Sequence, residues 1–190
     1  SAGARQAFVA KEPILAAIGA GIPINSCSGH MIIDIGGGTS EVAVISLGGI
    51  VASHSIRVAG DKIDAAIADY IKKNFNLGIG DKMAEDVKIQ IGSAVPIEEE
   101  LMMHVKGRDY LTGLPRSVEI CTNEIVRAIG KELRTIINAM KDVLQETPPE
   151  LAADIIDNGI IMTGGSSLLR NFPELVFRRT GVKARLAKDA

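Results

Sequence analysis

The chain has 190 residues, a formal net charge of −2 and no tryptophan. This length is enough for one sizeable domain or two small ones. Because aromatic residues make up only 3% of the chain, aliphatic side chains must fill the core. The charge gives no electrostatic argument for binding nucleic acid or for a polybasic contact with a membrane. No apolar run approaches the roughly 20 residues that span a bilayer, and no signal-peptide pattern is present.

The two cysteines and the first residue carry further expectations. Cys27 and Cys121 form no CxxC motif. We expect both to be free, buried thiols in a reducing cytoplasm. Because the chain starts at Ser1 rather than at methionine and enters mid-domain sequence at once, we expect a trimmed or partial chain.

The first half of the chain predicts a short helix followed by an antiparallel meander. Pro13 suits a first helical turn, and Gly19 and Gly21 end that helix. Gly48-Gly49 is a turn signal between two β-like runs. The predicted strands span residues 8–10, 31–35, 41–45 and 50–58.

The second half predicts further helices and strands. Asp61 and Asp81 are candidate N-caps of helices that begin beside them, and Pro148-Pro149 ends a long helix with an aliphatic face. Pro173 and Gly181 bound a short helix near the end of the sequence. One predicted helix begins at residue 60, and two others span 81–91 and 124–146. The predicted strands span 101–106, 117–121, 159–163 and 182–187, and a loop spans 108–116.

A first glycine loop follows the apolar strand that begins at Met31. Gly36, Gly37 and Gly38 expose backbone N–H groups that can cradle β- and γ-phosphates. Asp34, at the strand end, can hold a magnesium ion through water, and the Thr39 hydroxyl can position a water beside the γ-phosphate. A hairpin turn that simply requires glycine is the alternative.

A second glycine loop follows the strand that ends at Thr163. Gly164, Gly165, Ser166 and Ser167 open a helical stretch that could pack against an adenosine and its α-phosphate. A Gly-Gly helix cap or turn would give the same pattern, so the signal gains its value from pairing with the first loop.

Isolated charged residues complete the candidate site. Glu12 could polarise an attacking water, and an exposed loop carboxylate is the alternative. Glu85 and Lys88 could flank an adenine and its ribose, and an ordinary i,i+3 ion pair is the alternative.

Together these motifs resemble a known superfamily. The run Asp34-Ile-Gly-Gly-Gly-Thr-Ser-Glu-Val-Ala-Val resembles the second phosphate motif of the actin, sugar-kinase and heat-shock-chaperone ATPases. The run Gly159-Ile-Ile-Met-Thr-Gly-Gly-Ser-Ser-Leu-Leu is similar to their adenosine motif. Within that superfamily the chain resembles the MreB family, bacterial actins that maintain rod shape. Three further stretches support this, at residues 12–21, 58–64 and 147–155.

The resemblance implies an α/β fold of the actin-like, ribonuclease-H-like type. It implies an ATPase built from two domains around an ATP–Mg²⁺ cleft. Residues 1–27 would be the tail of the first domain. Residues 28–73 and 155–190 would form the second large subdomain, and residues 74–154 a smaller inserted α+β subdomain.

The resemblance also implies roles for individual residues. Glu12 and Thr39 would position the hydrolytic water, and Asp34 would serve the magnesium ion. Gly36, Gly37 and Gly38 would hold phosphate. The adenosine would be surrounded by Glu85, Asp86, Val87, Lys88, Gly164, Gly165, Ser166 and Ser167.

For the intact protein the resemblance implies filaments on the cytoplasmic side of the inner membrane. They would self-associate and work with the cell-wall synthesis machinery. The family's first phosphate loop and closing C-terminal helix are not in this chain, a lysine precedes Glu12, and Ser166 replaces a third glycine. We therefore expect weak nucleotide binding and no efficient hydrolysis unless the other half is supplied.

Two other functions fit parts of the pattern. Another ATPase of the superfamily, such as a sugar kinase, would need a catalytic aspartate that reaches a sugar pocket, and the sequence shows no such constellation. A non-catalytic module would bind partners without ATP, and the missing first loop is compatible with that function.

Overall fold

The computed structural model describes residues 3, 5, 6 and 9–188. None of the helices within those residues combines the length and the apolar character that crossing a membrane requires. The strands are β1 (His30–Ile35), β2 (Ser40–Ser46), β3 (Gly49–Ile56), β4 (Leu77–Gly78), β5 (Met102–Asp109), β6 (Pro115–Cys121), β7 (Ile160–Thr163) and β8 (Ala184–Leu186). The helices are α1 (Glu12–Gly19), α2 (Gly60–Phe75), α3 (Asp81–Ile91), α4 (Thr122–Glu146), α5 (Pro149–Asn158) and α6 (Phe172–Thr180), with a short 3-10 helix at Gly165–Leu168.

The larger sheet places the two glycine loops at one edge. Its strand order is β3-β2-β1-β7-β8, in which β1, β2 and β3 are antiparallel and β7 and β8 run parallel to β1. The predicted meander is therefore confirmed. Asp34 pairs in register with Thr163, so β1 and β7 end side by side. Loops that are 130 residues apart in sequence thus leave the sheet as neighbours.

The pleat of this sheet decides which side chains meet at that edge. Ile33 and Val42 face the core under α2 and α4, whereas Ile32 and Ala43 face a smaller cluster with Ala17 of α1. Because successive side chains alternate between faces, the next polar positions along these strands lie on the α1 face. These positions are Asp34, Glu41 and Thr163.

The hairpin between β2 and β3 turns one residue earlier than predicted. Leu47 and Gly48 have φ values of 50° and 74°, and Ser46 pairs with Gly49, which already belongs to β3. Two consecutive positive φ angles give the backbone twist that tight hairpins need. The prediction of a hairpin here is confirmed, with Leu47 taking a left-handed position.

The smaller sheet has the order β4-β5-β6. The pairing of β5 with β6 was predicted, but both strands run closer to the turn than expected, from Met102 opposite Cys121 to Arg108 opposite Pro115. The connecting loop is shortened because the carboxylate of Asp109 accepts hydrogen bonds from the N–H groups of Leu111 and Thr112. The predicted loop at 108–116 is therefore too long.

Helix α4 joins the two sheets. It buries Ile125, Ile129 and Leu133 as the aliphatic pattern predicts, and it packs on β2 and β3 of the larger sheet. The division at residues 74 and 154 stays a prediction. Since α4 falls inside the predicted insert, the insert and the larger unit share one hydrophobic core.

Other local predictions were wrong. The N-cap of α3 is Gly80 rather than Asp81, which lies in the first turn. Helix α5 was not predicted, because Pro148-Pro149 indicated only the end of α4, whereas proline is also well suited to a helix start. In the predicted strand 8–10, Phe8 lies outside the described residues, while Val9 and Ala10 belong to no strand. The final strand is only Ala184–Leu186.

The cysteine prediction was half right. Cys27 and Cys121 are both free thiols, as expected. However, Cys27 is exposed and Cys121 is half-buried, so neither is the fully buried thiol that the composition suggested.

Candidate functional site

The second glycine loop crosses directly over the end of β1. Gly164 has φ +83°, a value that side chains other than glycine's rarely allow. A Cβ built on Gly164 would lie 2.5 Å from the carbonyl oxygen of Ile35 and would also overlap the Asp34 carboxylate. Only glycine permits this approach, so Gly164 holds the second loop against the end of the first strand.

A side-chain hydrogen bond joins the two loops. The hydroxyl of Ser166 donates to the carbonyl oxygen of Gly36 over 2.8 Å. Ser166 is 9% exposed, so its hydroxyl faces the protein rather than open solvent. The replacement of a glycine by Ser166 therefore adds a link between the loops, a role that the sequence did not predict.

The first loop is held from below by the start of α2. The N–H groups of Gly60 and Asp61 donate to the carbonyl oxygens of Gly36 and Gly37 over 3.1 Å and 2.8 Å. Gly37 and Gly38 are exposed, and no acceptor for their N–H groups is found among the described residues. The loop thus uses its carbonyls inside the protein and turns donors outward, as an anion-binding loop requires.

Asp61 was predicted to be the N-cap of α2, and this is wrong. The N-cap is Ala59, and no side chain caps the helix. Asp61 lies in the first turn, where a negative charge is favourable, and a Cβ built on Gly37 would be 3.2 Å from its carboxylate. Asp61 is therefore a carboxylate beside the first loop.

Carboxylates gather on the α1 face of the sheet. Asp34 pairs in register with Glu41, and Glu12 and Glu41 line one cavity of about 440 Å³. Burial, and then the charge of Glu12, raise the pKa of Asp34. Burial, and then the charges of Glu12 and Asp34, raise the pKa of Glu41. Both pKa values are raised first by burial and then by neighbouring carboxylate charge, and a bound cation would oppose both effects.

Glu41 was missed as a candidate site residue. The signal that could have found it is strand alternation, which places it on the same face as Asp34 once the two strands are paired. No group of three or more metal-binding side chains occurs among the described residues. The Asp34 and Glu41 carboxylates, paired at the strand ends, are oxygen ligands of the kind that Mg²⁺ takes one or two at a time beside waters and phosphate oxygens. They do not form an all-protein metal cage.

Lys88 lies beside the second loop and forms an ion pair with α2 that the sequence did not predict. Its ammonium lies 2.8 Å from Asp64 of α2, rather than pairing with Glu85 one turn away. The side chains of Lys88 and Asp64 are only 12% and 17% exposed. Lys88 and the second loop border one cavity of about 200 Å³. The cavity is lined by Lys88, Ile89, Gly165, Ser166, Leu168, Leu169 and Arg170.

The remaining predicted residues of α3 and Ser167 do not line this cavity. Val87 is fully buried in the core, so its side chain supports α3 from inside. Glu85 is exposed, and Asp86 lies 3.6 Å from Lys82. Ser167 is buried and donates to the carbonyl oxygen of Gly164, which stabilises the second loop. Of residues 85–88, only Lys88 lines the cavity.

A meander extended by parallel strands, with glycine loops at one edge, defines a domain of the actin-like class. The chain belongs to the MreB/Mbl protein family, whose model matches residues 1–190.

Individual relatives agree with that assignment. The chain is 46% identical over 188 residues to the cell shape-determining protein MreB of Escherichia coli (strain K12), covering 99% of this chain and 54% of that protein. It is 43% identical over 187 residues to the cell shape-determining protein Mbl of Bacillus subtilis (strain 168), covering 98% and 56%. The chain thus spans about half the length of the curated relatives it matches.

Solved structures show the same fold. A crystal structure of MreB5 of Spiroplasma citri bound to ADP superposes with a TM-score of 0.95 at 43% identity, covering 98% of this chain and 57% of that one. A double helical filament of MamK superposes with a TM-score of 0.76 at 24% identity, covering 94% and 54%. The MamK likeness concerns the fold alone. The predicted actin-like fold is confirmed.

Proposed function

We propose that this chain forms the nucleotide-binding half of a bacterial actin-like ATPase. The observation that carries the proposal is the joined pair of glycine loops, linked by Ser166 and Gly36, with outward N–H groups on one side and a cavity beside Lys88 on the other. MreB5, with 43% sequence identity, has been crystallised with ADP and with AMPPNP, which supports a nucleotide as the ligand here.

The phosphates of ATP would lie on the first loop. The N–H groups of Gly37 and Gly38 would donate to the β- and γ-phosphate oxygens. The expected contribution of the Gly36 N–H is wrong, because this group donates to the Thr39 carbonyl oxygen within the loop over 3.0 Å. Asp34 would hold Mg²⁺ through water, and the ion would neutralise phosphate charge while it is bound. Thr39 is exposed beside the loop and would orient the attacking water. Glu12, at the start of α1, would polarise that water.

The adenosine would occupy the cavity beside the second loop. Lys88, held in place by Asp64, would form one wall, and Gly165 and Ser166 the other. Gly164 would act by holding the second loop against the end of β1. Ser167 would keep the second loop in shape through its bond to Gly164. Glu85 and Asp86 would contribute at the outer rim, while the buried Val87 would act only through the core.

For the intact protein we propose ATP-dependent filaments that maintain rod cell shape. They would lie in the cytoplasm against the inner membrane and organise the cell-wall synthesis machinery. The relatives named as cell shape-determining proteins support this role, and the MamK filament shows the same fold in a polymer. Residues 1–27 would be the tail of the first domain. Residues 28–73 with 155–190 would be the large subdomain, and residues 74–154 the insert.

Nucleotide binding can be tested on this chain alone. We expect a fluorescent ADP analogue with Mg²⁺ to bind weakly in an anisotropy titration, since this chain spans about half the length of its relatives. Gly38→Asp would place a negative charge on the phosphate loop and should abolish binding. Lys106→Asp, at an exposed position of β5, makes a negative charge change twice as large away from the loops and should leave binding unchanged. Equal affinity for both variants would contradict the proposed phosphate site.

Hydrolysis and assembly require the full gene. Electron microscopy should show filaments with ATP and Mg²⁺, and Glu12→Ala and Thr39→Ala should slow turnover by about 10²-fold or more while ATP affinity changes little. Soluble monomers at high concentration with ATP would contradict the cytoskeletal function. Normal hydrolysis by both variants would show that the residue roles are wrong. Filaments without any turnover would favour the non-catalytic module.

A further inference from the structure

A second concave surface lies between α4 and α6. It encloses about 590 Å³, and none of the residues proposed for the nucleotide site lines it. Its floor is apolar: Val95, Leu133 and Ile137 are each buried, and Leu175 of α6 forms the facing wall. We call this surface the α4–α6 groove. The proposed function leaves this surface unused.

The rim of the α4–α6 groove is basic although the chain as a whole is slightly acidic. No carboxylate is among the residues that line it. The rim cations are Arg127, Arg134, Lys141, Arg178 and Arg179. A charge distribution opposite to the net charge of −2 indicates a surface shaped for a negative partner.

The cations on α4 follow a regular spacing. Arg127, Arg134 and Lys141 are seven residues apart, which puts them on one side of the helix at intervals of about 10 Å. Beside them Val126, Gly130, Leu133 and Ile137 line the groove at spacings of four, three and four residues. An apolar seam flanked by charges at heptad spacing is the surface that one helix presents to another.

Most of these charges are available to a partner. Arg178 is paired with Glu174 one turn away on α6, and Arg127 lies near Tyr70. Arg134, Lys141 and Arg179 have no ion-pair partner within the part of the chain that the structure describes. The groove therefore keeps a net positive charge above its apolar floor.

We propose that the α4–α6 groove binds an acidic amphipathic helix of another protein. The apolar face of that helix would cover the exposed Pro96 and the half-buried Val126 and Leu175, above the buried floor. Its flanking carboxylates would meet Arg134, Lys141 and Arg179. Residues 126–141 of α4 extend about 22 Å, the length of a helix of about 15 residues. A small anion fits less well, because cations about 10 Å apart cannot converge on one phosphate and Pro96, Val126 and Leu175 would stay uncovered.

Gly130 makes the groove deep at its centre. It lies inside α4, where glycine is usually unfavourable, and a Cβ there would meet only the Arg134 guanidinium, at 3.6 Å. Because the backbone can accept a side chain, the groove can be filled without disturbing the core. Gly130→Trp would obstruct a docked helix, and Gly130→Ala would serve as its matched control.

The test uses two synthetic helical peptides of about 18 residues with leucine at positions a and d. One carries glutamate at positions e and g, and the other carries lysine. In fluorescence anisotropy we expect this chain to bind the acidic peptide and not the basic one, with affinity that falls between about 0.05 M and about 0.5 M salt. Equal binding of both peptides, or no binding of either, would overturn the proposal.

Variants locate the contact. The double change Arg134→Glu with Lys141→Glu should weaken acidic-peptide binding about tenfold or more. The double change Lys131→Glu with Lys82→Glu makes the same charge change at exposed positions outside the groove. It should leave acidic-peptide binding unchanged. Gly130→Trp should abolish binding, and Gly130→Ala should retain it, with thermal unfolding showing that both are folded.

Two results would overturn the proposal by assigning the groove to another occupant or the peptide to another site. Self-association of this chain in sedimentation equilibrium that Gly130→Trp abolishes would assign the groove to a second copy. Unchanged peptide binding by Gly130→Trp would place the contact elsewhere. Neither nucleotide binding nor hydrolysis enters these measurements, so the outcome is independent of the proposed ATPase function.

Discussion

The hydroxyl of Ser166 donates a 2.8 Å hydrogen bond to the carbonyl oxygen of Gly36, and this bond joins two loops that are 130 residues apart in sequence. The same oxygen accepts a bond from the N–H of Gly60 at the start of α2. One carbonyl group thus connects the first loop, the second loop and the helix below them. A shift of the second loop would be transmitted to the phosphate-facing N–H groups through this oxygen.

Loss of the hydrogen bond between Ser166 and Gly36 should weaken nucleotide binding as well as lower stability. Ser166→Ala removes a buried hydroxyl donor and should cost about 1 kcal/mol of unfolding free energy in urea titrations. It should also weaken binding of an ADP analogue, because the loops are no longer joined. Ser46→Ala loses a comparable bond, to the carbonyl oxygen of Cys27 over 2.9 Å, at the end of β2 away from the loops and is the control. Equal affinity in the two variants would show that the link between the loops does not position the nucleotide.

Gly60 and Ser166 should be energetically coupled. A Cβ on Gly60 would lie 2.5 Å from the Ser166 hydroxyl oxygen and 3.3 Å from the Gly36 carbonyl oxygen. Gly60→Ala should therefore destabilise the chain by about 1–3 kcal/mol. In a Ser166→Gly background the worst overlap disappears, so the cost should fall by about 1 kcal/mol or more. Additive effects in the double-mutant cycle of unfolding free energies would contradict the geometry.

The sequence predicted most of the larger sheet because its signals are local. Apolar residues on both faces mark the strand from Met31 to Ile35. Gly48 marks the hairpin between β2 and β3. These strands and the turn could therefore be placed from local composition alone. The pairing of β1 with β7 was not predicted. No local pattern contains that contact, which depends on residues more than a hundred positions apart.

The candidate site was predicted less completely, since its partners come from distant elements. Lys88 was placed near the adenosine, with an ion pair to Glu85 as the alternative, whereas its ammonium pairs with Asp64 on a neighbouring helix. Glu41 was missed because its position beside Asp34 follows from strand register rather than from a motif. Asp61 was assigned to capping because helix starts often carry aspartate, whereas packing places it beside Gly37.

Asp34 should cost the unliganded chain stability at neutral pH. Burial and the charge of Glu12 raise its pKa above the ordinary value of about 4. The folded chain therefore binds protons more readily than the unfolded chain, and stability falls as the pH rises through the folded-state pKa. Asp34→Asn removes this term, so it should raise the melting temperature at pH 7 and make little difference below about pH 4.

The control for this prediction is Asp69→Asn, at an exposed position in the middle of α2, away from the helix ends. Its melting temperature should match that of the unchanged chain across the same pH series. Asp34→Asn should at the same time weaken Mg²⁺-dependent nucleotide binding, since the proposed magnesium ligand is lost. A variant that is less stable than the unchanged chain at pH 7 would show that Asp34 is structurally favourable rather than strained.

The ion pair of Lys88 with Asp64 allows stability and binding to be separated. Both side chains are largely buried, and one carboxylate oxygen of Asp64 is buried without a hydrogen-bond partner. Lys88→Met would leave that carboxylate uncompensated and should cost about 3 kcal/mol or more of unfolding free energy. Asp64→Leu with Lys88→Met replaces both charges by apolar groups, so most of this loss should be recovered.

Nucleotide affinity should behave differently, because Lys88 lines the proposed adenosine cavity and Asp64 does not. The double variant should regain stability in urea titrations yet bind the ADP analogue as weakly as Lys88→Met alone. If affinity returns together with stability, Lys88 acts only by holding α3 against α2. If neither affinity nor stability returns, replacing the ion pair has disturbed the packing of α2 on α3. A cooperative urea transition with an unchanged slope would exclude that disturbance.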